Sequence, residues 1–485
     1  MSEDLPLHLW EPVIGLEIHA QLNTRTKIFS SAPNRFGDEP NVNISSVCTG
    51  QPGALPVLNK EVVHKTVQFG LAIGAKISLV STFDRKSYFY PDSPRNFQIT
   101  QFDTPLIRGG QIETLGKTFR INRAHIEDDA GMLKHFSTFA GVDYNRAGAG
   151  LIEIVSEPCI HSPQEAAAYA MAIRAILLYI DASDCNMEEG SLRMDANVSV
   201  RLKGEKTLRP RIEIKNMNSF TFMEMALQSE IRRQIKLYLD HPHTPHLELI
   251  PPGTYRWDPG LKQAILMRSK ESSDDYRYFP EPDLPPIVLT QSYIDEIRSH
   301  LPELPQDRFR RYVFDLGLSE YAATTLINEK PFADYFEKAL QLCPNARQLC
   351  NWITIEFAGR FKESGKTLPT SGIPPEHVAK LVSLIDQNTI TGRIAKAIAD
   401  EMVANPALDP ETIIAKNPDY QPNADIASLE PIIDQVLREN PQSVIDFKAG
   451  RDKAFAFLVG AVMKLTRGKA SPQIVNELLR KKISS

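Results

Sequence analysis

The stretch VIGLEIHAQL, Val13 to Leu22, places Ile14, Leu16, Ile18 and Leu22 on alternate positions, with Glu17, His19 and Gln21 between them. A period of two is that of a β-strand with one buried and one open face. Four more segments repeat the pattern. In RAHIEDDAGM, His125, Glu127 and Asp129 alternate with Ile126 and Asp128; in GLIEIVSEP, Glu153 lies between Ile152 and Ile154. SLRMDANVSVRL sets Leu192, Met194, Ala196, Val198 and Val200 against Arg193, Asp195, Asn197, Ser199 and Arg201, and RIEIKNMNSF sets Ile212 and Ile214 against Glu213 and Lys215. Each segment thus has one apolar side to be covered and one ionisable side, and the sequence does not say which strands are neighbours.

A solvated outer face accounts for any one of these strands. Together they present Glu17, His19, Glu127, Glu153 and Asp195 with a cationic minority, Arg193 and Lys215. Like charges on one sheet face repel, and a bound cation relieves them. The pattern therefore predicts a metal site on the open face of an antiparallel or mixed sheet. Several carboxylates suit Mg²⁺; His19 equally admits Mn²⁺ or Zn²⁺. No G-x-x-x-x-G-K-[ST] loop and no strand-bound G-x-G-x-x-G is present, so a bound nucleotide has to be held by metal and side chains.

At 485 residues the chain is too long for one core. Its net charge of −5 means that nucleic-acid binding requires a local basic patch. Five scattered cysteines, none in a C-x-x-C pair, suit a reduced compartment. The acidic MSEDLPLHLW start lacks a signal-peptide core, and no apolar run reaches membrane-spanning length. The expectation is a cytoplasmic protein with neither a membrane nor a DNA partner.

Strand signals and proline-bearing turns fill the chain to about Ser292. One helix interrupts them, SPQEAAAYAMAIRAILLYI, with Ser162 as N-cap, Pro163 at its first position and Glu165 completing a capping box. Three- and four-residue apolar spacings then run to Ala404, and the Pro-, Asn- and Asp-rich NPALDPETIIAKNPDYQPNADIA marks a boundary. The fold class is α+β: a mixed-sheet domain over 1–292, an all-helical domain over 293–408 and a small helical tail over 409–485. FDRKSYFYPDSPRNFQITQ mixes Arg85, Lys86 and Arg95 with aromatic residues, which suits a loop packed on the core or one that grips phosphate and base. The tail from Lys448 onward is basic, which suits either a charged helical cap or RNA backbone contact. Lys464, Arg467 and Lys469 are its leading candidates. Cys343 and Cys350, seven apart on a helical stretch, read as core.

VIGLEIHAQL, FDRKSYFYPDSPRNFQITQFD, HIEDDAG, DYNRAGAGLIEIVSEP, MEEGSLRMDANVSV, EIKNMNSF, SDDYRYFPEPDLPP and DKAFAFLVGAVMKLTRGKASP together resemble the B subunits of aspartyl/glutamyl-tRNA(Asn/Gln) amidotransferases, the GatB family. The likeness runs from residue 13 to about 472. It implies a cradle-shaped catalytic domain of glutamine-synthetase-like fold, a helical domain and a tail. It implies ATP-dependent amidation of misacylated Glu-tRNA(Gln) or Asp-tRNA(Asn) through an acyl phosphate, in an assembly with a GatA-type glutaminase that supplies ammonia and a small GatC-type subunit. By motif position it implies that His19, Glu127 and Glu153 bind Mg²⁺, with Glu17 and Asp195 helping around the nucleotide or a second metal. Lys86 and Asp128 then line the ammonia path, and the tail meets tRNA. Arg85 is a further candidate contact for nucleotide or substrate, from the basic and aromatic loop that carries it. Arg193, Asn197 and Lys215 are candidates for the same role because they share the polar face.

Two departures matter. Many family members have a zinc site spelled C-x-C, then C-x-x-C, near residues 30–48. This chain has SSA and SSVC there, leaving only Cys48, so no zinc is expected. Met132 stands where the family has Lys after its H-x-E-[ED]-D-A-G, which removes a cation. Two rival readings stay open at this point: a free-standing glutamine-synthetase-like ligase for a small molecule, and a non-catalytic tRNA-binding adaptor.

Overall fold

A computed structural model describes residues 5–269, 273–420, 426–466 and 470–484. The chain divides into two compact units, the first ending at Asp307. The first is built on a ten-stranded sheet. Its main strands are β1 (Trp10–Gln21), β2 (Lys117–Asp128), β3 (Gly150–Ser156), β4 (Leu192–Leu202), β5 (Ile212–Lys215), β6 (Gly253–Asp258) and β7 (Gln263–Ser269). Their spatial order is β7-β6-β5-β4-β1-β3-β2, continued by the short Ile107–Arg108 and Lys76–Ile77, with Gln111–Thr114 also paired to β2. The β5–β6 pair is parallel and the other pairs are antiparallel, so the sheet is mixed.

The period-two pattern decides which side is covered. Ile14, Leu16 and Ile18 are fully buried, whereas Glu17 and His19 between them are only partly covered. Three helices, α1 (Lys60–Ala72), α2 (Pro163–Tyr179) and α3 (Phe220–Asp240), pack on the apolar side. Val67, Ile173 and Leu227 from these helices share one core with Ile18, Ile126, Ile154 and Met194. Each such fully buried aliphatic side chain contributes roughly 1.5–3 kcal/mol. That core also takes in Ile294 and Ile297 of the helix Gln291–Ser299. The first unit therefore continues past the composition break near Ser292. The second unit is helical and holds two hydrophobic clusters, one from Tyr312 to Ile413 and one from Leu429 to Ile483. Cys343 and Cys350 lie in the former.

The capping of α2 follows the sequence with one change. Ser162 accepts the Glu165 N–H, but the Glu165 carboxylate reaches back to the His161 N–H rather than to that of Ser162, and also receives Lys117 Nζ at 2.6 Å. Burial alone would raise the Glu165 pKa; these donors outweigh it and hold it below the ordinary value of 4.5. A depressed folded pKa means stability present above about pH 4.5 and lost as pH falls through the folded value. Glu165→Gln should therefore lower stability at pH 7 by about 1 kcal/mol. In urea unfolding of the full chain that deficit should shrink toward zero between pH 5 and pH 3.

Candidate active site

Antiparallel registry brings distant residues onto one row. His19 of β1 lies opposite Glu153 of β3 on one side and Arg193 of β4 on the other, and Glu153 lies opposite His125 of β2. Opposed residues share a face, so His125, Glu153, His19 and Arg193 line up across four strands. Glu127 stands two residues beyond His125 on the same side of β2. The Nε2 atom of His19 is 3.4 Å from Glu153 Oε2 and 3.8 Å from Glu127 Oε1. The Nε2 atom of His125 is 3.3 Å from Glu153 Oε2 and 3.7 Å from Glu127 Oε2. Thr100 also donates to Glu127 Oε2, at 3.3 Å.

His19, Glu127 and Glu153 offer ligand atoms that all lie within 4.8 Å of one another. Burial alone would lower both imidazole pKa values and raise that of Glu153. Mutual attraction reverses each tendency: His125 is held up at about 9, His19 is raised, and Glu153 is held well below the usual carboxylate range. A site that gathers protons onto its imidazoles to balance its carboxylates has the donor set and the charge to take a divalent cation.

Glu17, Asp195 and Glu213 form a second cluster, again within 4.8 Å. Lys215 Nζ binds Asp195 at 2.5 Å and Glu213 at 2.9 Å, and Asn197 donates to Glu17 at 2.8 Å. Glu17 has its pKa raised by burial and by the nearby Glu153 and Glu213 charges. Glu17 and Asp195 thus stand with Lys215, apart from the His19 cluster.

A cleft of about 1000 Å³ opens over this face, with His19, Lys86, Glu127, Asp128, Arg193 and Lys215 among its lining residues. The Lys86 ammonium lies 4.8 Å from the Tyr276 ring centre. Burial would lower its pKa, but the Tyr278, Glu127, Glu153 and Tyr276 side chains more than offset that and raise it. Asp128 pairs with Arg95 and accepts the Ile99 N–H at 2.8 Å; burial outweighs both and pushes its pKa up to about 6. Arg193 is anchored by Asp129 at 2.8 Å. Arg85 does not line the cleft. It forms a two-pronged pair with the buried Glu281, at 2.8 and 2.9 Å, reaches Asp283 at 3.0 Å, and lies over Phe97. Asn197 is likewise absent from the lining. Lys464 is exposed near the end of the helix Asp452–Leu465 in the second unit, whereas Arg467 and Lys469 lie outside the described residues.

The loop that departs from the family's zinc spelling is filled differently. Lys27 is fully buried, and its Nζ meets the Ala147 carbonyl at 2.7 Å, the Tyr144 carbonyl at 3.3 Å and Cys48 Sγ at 3.6 Å. Ser30 and Ser45 hydroxyls lie 3.4 and 3.2 Å from the same sulfur.

His125 and Glu213 complete the two clusters, and sequence reading gave neither a role. Both sit on the open side of their strands by the same alternation that picked out Glu127 and Lys215; what was missing was the strand order.

Two family models match the chain. One described as the GatB/GatE catalytic domain matches residues 12–295, and one described as the GatB domain matches 334–483. The chain belongs to the GatB family. It is 65% identical over 480 residues to the B subunit of the aspartyl/glutamyl-tRNA(Asn/Gln) amidotransferase from Protochlamydia amoebophila, covering 98% of this chain and 97% of the relative. The proteins of the same name from Chlamydia pneumoniae and Chlamydia trachomatis serovar L2 are 58% and 56% identical, each match covering 97% of both chains. Within this GatB-family chain Arg85 is half-buried and its partner Glu281 is buried, so removing the arginine strands the carboxylate. Arg85→Ala should cost roughly 3–5 kcal/mol in urea unfolding of the full chain while leaving Mn²⁺ affinity unchanged.

Proposed function

We propose that this chain is the phosphorylating and amidating subunit of a tRNA-dependent amidotransferase. Its substrates are Glu-tRNA(Gln), Asp-tRNA(Asn) or both, and it works beside a GatA-type glutaminase and a small GatC-type partner. The observation that carries the reading is the convergence of His19, Glu127 and Glu153, from three strands, at a cleft that His19 and Glu127 line together with several cations. Against a small-molecule ligase or an adaptor stands the family likeness over nearly the whole chain.

A carboxylate cannot be amidated directly because oxide is a hopeless leaving group. In the proposed cycle an oxygen of the substrate's side-chain carboxylate attacks the γ-phosphorus of ATP and ADP departs. Ammonia then attacks the carbonyl carbon of the acyl phosphate, inorganic phosphate leaves with its bonding electrons, and a proton is lost from nitrogen. Mg²⁺ held by His19, Glu127 and Glu153 would supply charge neutralisation at the phosphates. Lys86, which makes no ion pair among the described residues, would draw phosphate oxygens from one wall of the cleft. Arg193 and Lys215, fixed by their own carboxylates, hold positive charge without freedom to wander. Asp128 and Lys86 give the ammonia path polar walls, and a closed cleft spares the acyl phosphate from water. We read the Cys48 loop as zinc-free because one thiol remains there and Lys27 already braces it. Among the described residues no helix is long and apolar enough to cross a membrane, which is compatible with the cytoplasmic location that this substrate demands.

The deciding experiment follows ADP release by the assembled enzyme with Mg²⁺, ammonium and Glu-tRNA(Gln), bypassing the glutaminase. Glu127→Ala and Glu153→Ala should each reduce tRNA-dependent release by about a hundredfold or more with tRNA still bound. Unchanged release would make the polar face structural and favour the adaptor. For the tail, Lys464→Ala should weaken tRNA binding and reduce the slope of log K against log salt by about 1. An unaltered slope would remove this lysine from the tRNA contact.

A further inference from the structure

His125 is 4% exposed, as buried as Glu127, and like Glu153 it is absent from the lining of the cleft that His19 and Glu127 help to form. It also lies outside the set of residues whose ligand atoms are mutually within 4.8 Å. In the row across the strands it stands on the far side of Glu153 from His19. The two oxygens of Glu127 are divided between the imidazoles: Oε1 faces His19 at 3.8 Å, and Oε2 faces His125 at 3.7 Å. Thr100 donates to that same Oε2 from the buried side. Glu153 Oε2 lies between the rings, 3.3 Å from His125 and 3.4 Å from His19. Both neighbours of the His125 Nε2 are acceptors, so this nitrogen carries hydrogen and donates. Its Nδ1 is buried with no hydrogen-bond partner among the described residues. Interiors rarely leave such a nitrogen unsatisfied. Turning the ring to satisfy Nδ1 would take Nε2 off the two carboxylates.

We infer that His125 is a positioning residue for the divalent cation, holding Oε2 of both Glu127 and Glu153 so that Glu127 Oε1 and Glu153 Oε2 face His19. This rests on the metal reading proposed above for His19, Glu127 and Glu153. Residues that orient ligands in this way act through the ligands' geometry, so their loss appears as weakened metal binding even when the fold stands.

The test titrates the full-length chain with Mn²⁺ and follows the six-line electron paramagnetic resonance signal of free Mn²⁺. Circular dichroism and thermal unfolding without metal check each variant's fold. His125→Phe keeps the ring volume and removes the donor. His125→Asn keeps a polar group but places its nitrogen near the Nδ1 position, and His125→Gln places one near Nε2. Binding 10–100-fold weaker in the Phe and Asn variants, with His125→Gln within about threefold of wild type, supports the inference. If His125→Phe does not fold, the Asn and Gln pair decides it. Wild-type affinity in the Phe or Asn variant overturns it, as does equal weakening in all three, which would mean that the ring acts by packing alone. His19→Ala separates this failure from that of the underlying reading. If wild type binds no Mn²⁺, or His19→Ala binds as well as wild type, the metal site falls and His125 with it. If His19→Ala loses binding and the donor-free His125 variants keep it, only the present inference falls.

Discussion

The registry of β1 between β3 and β4 is the constraint on which everything else in the first unit rests. Backbone hydrogen bonding fixes His19 opposite Glu153 and Arg193, and Glu17 opposite Val155 and Asp195. A slip of one residue would send Ile18 into the cleft and His19 into the core. The apolar side forbids that slip, because Ile14, Leu16 and Ile18 are fully enclosed against three helices. Hydrophobic burial on one face therefore pays for charge concentration on the other. The helices never touch the chemistry, yet they set its register.

Electrostatics then separates the face into two unlike halves. On the β2–β3–β1 side the carboxylates are balanced by imidazoles, which can give way to a metal ion. On the β1–β4–β5 side they are balanced by Lys215, which cannot leave. Two acidic clusters built from similar residues thus have different capacities, and the difference lies in the identity of the counter-charge. The same distinction separates Lys86, held over an aromatic ring, from Arg85, committed to a buried carboxylate two-pronged and out of the cleft. Neighbours in sequence, they alternate across a strand and meet different surroundings.

Much of this is legible in the sequence. Alternation fixed which side of each strand is polar, and the Ser162–Pro163–Glu165 signal marked where α2 begins. Alternation does not say which strands are neighbours. That is why Glu17 and Asp195 read as companions of His19, while registry places them with Glu213 and Lys215. It is also why His125, visible in HIED, had no partner to give it meaning. The extent of the first unit was hidden for another reason. The helix Gln291–Ser299 has the periodicity of those that follow it, but Ile294 and Ile297 are claimed by the sheet's core. Long-range packing assigns a helix to its unit, and local pattern does not carry that information.

The buried ammonium of Lys27 has a consequence for how the loop around Cys48 is maintained. It ties the Tyr144 and Ala147 carbonyls and the Cys48 sulfur through a charge that is covalently part of the polypeptide. A clasp of that kind is complete as soon as the chain is made. Its contacts need only the closing of the chain around them, so the step that buries the lysine also braces the loop.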